Sequence, residues 1–268
     1  MMRLSIRHET RYQYETPPTR AAMRLRLFPT DYDTQTVENW RVSVLGDTVE
    51  PNVRDGFCVD EAVWTREERL PEISVVAEGV VQRAEDAGVV RGLKERAPAD
   101  LFLRDTPLTE PNDAVRDLAE PARGGDALAV LHALSAAVRG ALDFETASTN
   151  MGTTAVDALE QGKGVCQDFA HVFIAAARHL EIPARYVAGY FHPDGDEELR
   201  ETHGWAEGWC AGLGWVGFDV ANAVCPTPAY VRLVTHLDAS RAALIRGAIV
   251  GDTSETLETH VEITQTQQ

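Results

Sequence analysis

No stretch of the chain strings together the roughly 20 apolar residues that a helix needs to cross a bilayer. The opening MRLSIRHETRYQY alternates polar with apolar residues and holds no signal core, so a cytoplasmic protein without a membrane partner is expected. Cysteine is scarce and scattered. Cys58, Cys166, Cys210 and Cys225 form no C-x-x-C pair, which excludes a zinc ribbon or a thioredoxin motif. Positive charge is in deficit: 25 Lys and Arg stand against 42 Asp and Glu, a net −17 that repels nucleic acid and anionic lipid. Internal repeats, low-complexity tracts and an EF-hand calcium loop are missing too. Neither a cofactor nor a metal is expected.

What is present suits a folded domain or two, since 44% of the 268 residues are hydrophobic. The first part reads as strands. Met2–Tyr14, Ala22–Phe28, Trp40–Leu45 and Glu72–Val81 alternate with period two between turn residues. Residues 1–95 are therefore expected to form an all-β, sandwich-like domain. Pro98, Pro107, Pro111 and Pro121 punctuate residues 96–125, which read as a linker. Residues 126–268 are expected to form an α+β core with the C-terminal strands. Asp126 N-caps an apolar run at three- and four-residue steps, Ala127 to Ala141. After the loop Gly162–Gly164, Val165, Phe169, Val172, Phe173, Ala176 and Leu180 mark a second helix. Strand-like runs follow at Arg185–Phe191, Thr202–Cys210, Trp215–Val220 and Leu257–Thr264.

Cys166 falls in the first turn of that second helix, beside unpaired backbone N–H groups and the positive end of the helix dipole. Such a place favours the thiolate, which is the nucleophile, and its N–H groups suit a developing oxyanion. A cysteine alone reads as a small core residue. His203, opening THGWAEGW, adds the base that an activated thiol needs. His171 is its competitor, but five residues along the helix it is assigned a structural role. Asp219 closes GWVGFD one strand later, where it can orient the imidazole; alone it reads as a turn-initiating residue. Trp205, Trp209 and Trp215 fit core positions better than a cleft. HPDGDEELRE, ahead of His203, reads as an exposed acidic hairpin.

The segments GVCQDFAHVF, IPARYVAGY, THGWAEGW and GWVGFDVAN together resemble the core of the transglutaminase-like superfamily. More narrowly, they are similar to the bacterial transglutaminase-like proteins often described as cysteine proteases, whose N-terminal β-domain MRLSIRHETRYQYETP also resembles. The resemblance implies a papain-like, transglutaminase-like fold and a catalytic triad of Cys166, His203 and Asp219. Three departures stand out. Gly204 replaces the family's Ala after the His, Val220 replaces its Pro after the Asp, and Cys58 stands where the β-domain has an asparagine.

The expected function is cysteine-dependent acyl transfer. Cys166 attacks a carboxamide or peptide carbonyl, His203 protonates the departing amine, and Asp219 orients His203. Hydrolysis makes a peptidase or amidase; capture by an amine makes a transglutaminase. The expected partner is a peptide or protein substrate presenting an amide carbonyl. Two alternatives stay open: a non-catalytic peptide-binding module on the same fold, and a Cys/His/Asp zinc site. The β-domain is left free to present substrate, shield the cleft or mediate self-association.

Overall fold

A computed structural model describes residues 1–193 and 202–266. Strands β1 (Met2–Tyr14), β3 (Gln35–Val44), β4 (Asp47–Val49), β7 (Glu72–Arg83) and β16 (Glu255–Gln265) form one antiparallel sheet, in the order β16–β1–β7–β3–β4. Strands β2 (Arg20–Leu25), β5 (Val53–Arg54), β6 (Asp60–Arg66) and β15 (Ile245–Val250) form a second, in the order β15–β2–β6–β5. The alternation read from the sequence is the alternation of the pleat. On β1, Leu4, Ile6, His8, Thr10, Tyr12 and Tyr14 face inward, while Arg3, Arg7 and Arg11 face out towards glutamates.

The core sheet comprises β8 (Val89–Val90), β11 (Ala184–Phe191), β12 (His203–Cys210), β13 (Gly214–Phe218) and β14 (Tyr230–His236), ordered β14–β11–β12–β13–β8. Helices α1 (Asp113–Ala119), α2 (Ala127–Ala141), α3 (Ala155–Gln161) and α4 (Cys166–His179) complete it, with a short parallel pair, β9 (Asp143–Phe144) and β10 (Lys163–Gly164). As the sequence implies, the Asp126 side chain caps α2 by accepting from Ala129 N–H. Helix α4 is buried from Gln167 to Arg178, packed between β11 and β12 on one side and α1 to α3 on the other. The protein is thus α+β, a core of helices on an antiparallel sheet with a β-rich N-terminal part.

The division of the chain differs from the expected one in three places. The C-terminal strands do not extend the core sheet: β16 pairs with β1 and β15 with β2, so the tail adds a strand to each of the two N-terminal sheets. Val89–Val90, which falls within the bounds expected for the first domain, hydrogen-bonds to β13 of the core sheet. Residues 96–125 are not a free linker. Phe102 is buried edge-on against Trp215, and the buried Arg178 guanidinium donates to Phe102 O and Thr109 Oγ1. Prolines broke the helical pattern there, but an apolar residue and backbone acceptors anchor the segment. Residues 194–201 of the expected acidic hairpin lie outside the described residues. At Cys58, φ is 64°, a left-handed conformation that asparagine adopts more readily, which fits the residue type it replaces.

Candidate active site

The start of α4 is fixed by Asp168, three residues after the extended Val165. Its Oδ2 accepts from Val165 N–H at 2.8 Å and from the Thr149 hydroxyl at 2.6 Å. Gly164 makes room for it, because a Cβ there would lie 2.6 Å from that of Asp168. Burial pushes the Asp168 carboxyl up, against the Thr149 and Val165 hydrogen bonds. With the turn pinned, Cys166 occupies the first helical position, half-buried, where the helix dipole favours an anion.

His203 opens β12 and Asp219 follows β13, one hairpin later. The His203 Nε2 and Asp219 Oδ2 atoms are 2.6 Å apart, with the imidazole 15% exposed and the carboxylate 1%. The imidazole therefore keeps only a small opening to solvent while the carboxylate is sealed. Burial lowers the His203 pKa, but the hydrogen bonds with Asp219 and Cys166 and the charges of both outweigh it, so the imidazole is pushed up to about 10. Since Nε2 is committed to Asp219, Nδ1 is the nitrogen left for Cys166. For Asp219, burial raises the pKa, but the bond and charge of His203, with Asn222 and Tyr230, hold it below the usual carboxylate value. Cys166, His203 and Asp219 thus come together from three elements.

Asp219 also opens a turn, as its simpler reading held: its backbone pairs with Val224 and its Oδ1 accepts Asn222 N–H at 3.3 Å. His171 is fully buried and accepts from Ala239 N–H through Nε2, so its ring is neutral; burial, the largest influence, lowers its pKa to about 4. Trp205 and Trp215 are core residues, although the Trp205 ring also lies along His203 at 6.2 Å. Val220, in place of proline, is buried in the main core. Gly204 has a specific neighbour, since a Cβ there would collide with the hydroxyl of Tyr186 on β11. The phenol occupies space that alanine would need. Burial, then the charges of Cys166, Asp168 and Asp219, push the Tyr186 hydroxyl up, so it stays protonated.

Sequence reasoning left Tyr230 and Asn222 without a role. Tyr230 Oη and Asn222 Nδ2 each donate to Asp219 Oδ2 at 2.7 Å. Asn222 sits within GWVGFDVAN only three residues from Asp219, a signal that was available; Tyr230 lies on a strand whose place beside β11 no local pattern announces. Among the described residues, no three His, Cys, Asp or Glu side chains are arranged to hold a metal ion. No described helix is long and apolar enough to cross a membrane.

Comparison with known proteins bears on the same residues. The transglutaminase-like superfamily core matches residues 116–220, and the bacterial transglutaminase-like N-terminal region matches residues 4–82. An uncharacterized protein of Mycobacterium leprae is 30% identical over 279 residues, spanning 99% of this chain and 99% of its own. A second, from Mycobacterium tuberculosis, is 29% identical over 160 residues, or 55% of this chain and 51% of its own. Among solved structures, a provisionally assigned cysteine protease from Cytophaga hutchinsonii superposes with a TM-score of 0.79, covering 100% of this chain and 91% of that one. At 22% identity that likeness speaks for the fold.

Proposed function

The chain belongs to the transglutaminase-like superfamily, and from that premise we propose that it is a cysteine-dependent acyl-transfer enzyme acting on peptide or carboxamide bonds. The observation that carries this reading is the 2.6 Å His203–Asp219 bond beside a cysteine at a helix N-terminus. The Cys166 thiolate adds to the amide carbonyl. As the tetrahedral intermediate collapses, the C–N bond breaks and His203 gives its proton to the departing amine. The neutral imidazole then takes a proton from water as it attacks the thioester, and the collapse that follows expels the Cys166 thiolate, releasing a carboxylic acid and restoring the thiolate–imidazolium pair. Capture by an amine instead of water gives a new amide. Hydrolysis is the favoured outcome, with a peptide or protein as substrate. Four free cysteines fit a reducing compartment, and the cytoplasm is the proposed location.

Iodoacetamide labelling of the full chain between pH 5 and 9, mapped by mass spectrometry, tests the activated thiol. Burial pushes the Cys210 and Cys225 thiols up, so both should stay unreactive at pH 6 while Cys166 reacts. His203→Ala should abolish that selectivity. If Cys166 reacts no faster than Cys58, Cys210 and Cys225, the enzyme reading fails and a binding module takes its place.

A further inference from the structure

Hydrogen bonding at the site converges on one atom, Asp219 Oδ2. It faces His203 Nε2 at 2.6 Å, Tyr230 Oη at 2.7 Å and Asn222 Nδ2 at 2.7 Å, whereas Oδ1 receives one backbone N–H at 3.3 Å. The three donors come from the start of β12, from β14 two strands away and from the turn after β13. The tyrosine is the most firmly held of them. It is 2% exposed, its ring stacks on Phe191 at 4.4 Å and meets Trp205 edge-on at 5.5 Å. Its carbonyl accepts from Arg83 Nε at 2.7 Å, so the backbone is tied down as well. Asn222, by contrast, stands on an exposed turn where water can replace its amide.

A carboxylate oxygen that receives two further donors carries less charge towards the third. An undiluted Asp219 would hold the imidazolium too tightly to release it. We propose that Tyr230, assisted by Asn222, is a positioning residue of this site: its hydroxyl keeps Asp219 Oδ2 in line with His203 Nε2 and draws charge from that oxygen, so that the imidazolium can yield its proton to the departing amine. The role rests on the acyl-transfer reading, but the hydrogen-bond chain is independent of it. Other titratable groups around the pair are Cys166 and Asp168 from α4 and Tyr186 from β11. None of these donates to Asp219 Oδ2 among the described residues.

The test is an NMR titration of the 15N-labelled His203 imidazole in the full-length protein, which needs no substrate. In Tyr230→Phe the ring packing remains and one donor is lost, so the His203 midpoint should rise, by up to about one pH unit. Asn222→Ala should move it the same way by less, and Asp219→Asn should lower it. Should Tyr230→Phe fail to fold, Asn222→Ala carries the test from its exposed turn. A midpoint that stays in place or falls in both donor variants overturns the proposal, leaving Tyr230 as packing alone. Unselective labelling of Cys166 in the unaltered protein would instead overturn the acyl-transfer reading, while the His203 midpoints would still report the grip of Tyr230 on Asp219.

Discussion

His203 is governed by two opposed influences, and the sign of its effect on stability follows from which prevails. Its folded pKa, about 10, lies above the ordinary 6.5. Protonation therefore favours the folded state, fully below pH 6.5 and progressively less as pH climbs through 10. Asp219→Asn removes one of the two charges that sustain this, leaving Cys166 alone against the burial that depresses the imidazole. Urea unfolding should show the unaltered protein losing more stability between pH 6 and pH 10 than the variant does, by at least about 1.4 kcal/mol, the equivalent of one pKa unit. Parallel pH dependences would mean that Asp219 does not hold the proton on His203. The residue types of the three site members were legible from sequence because each sits at an element boundary marked by glycine, polar residues or a change of period. Tyr186 was not legible as a neighbour of Gly204. Only the register, with Tyr186 opposite Ala206 on the same face, brings its hydroxyl over the missing Cβ.

At the scale of the element, α4 is where sequence and structure agree best. Its apolar positions recur at helical spacing, and its small residues Ala175, Ala176 and Ala177 let the sheet and three helices close around it. Its first turn, however, depends on a buried carboxylate rather than on a polar N-cap residue, since the N-cap is Val165. Asp168→Ala would strand the Val165 N–H and should cost about 1–3 kcal/mol in chemical denaturation. It should also slow Cys166 alkylation several-fold, because the thiol loses its fixed place. Asp168→Asn keeps an acceptor for Val165 N–H and should recover much of that stability; equal loss in both variants would show that the charge, not the turn, matters. Among the elements that the sequence reading did not name, α3 is short and β14 lacks a clean period.

The two halves of the molecule meet along β14, the strand that carries Tyr230. Gln35 of β3 bonds both backbone groups of Arg232, donating to its O and accepting from its N–H, each at 2.9 Å. His8 and Tyr190 add a buried contact at 2.9 Å between β1 and β11. Gln35→Ala would leave a buried N–H without its acceptor, a loss of about 1–3 kcal/mol. At roughly 2–4 °C per kcal/mol for a chain of this size, calorimetry should show a single transition lowered by several degrees. Two separated transitions would mean instead that the halves melt independently once the seam is weakened. Sequence could not anticipate this seam, because it joins residues nearly two hundred positions apart through polar atoms that leave no hydrophobic pattern. The pairing of β16 with β1 along eleven positions, Leu4 opposite Gln265 to Tyr14 opposite Glu255, is more distant still. It sets an order of events during synthesis. Strand β1 must wait until β16, made long after it, leaves the ribosome, an interval on the order of tens of seconds. Throughout that wait the outer edge of β1 is an open template, and the newborn chain depends on chaperones, or on the speed of its own translation, to keep strangers from occupying it.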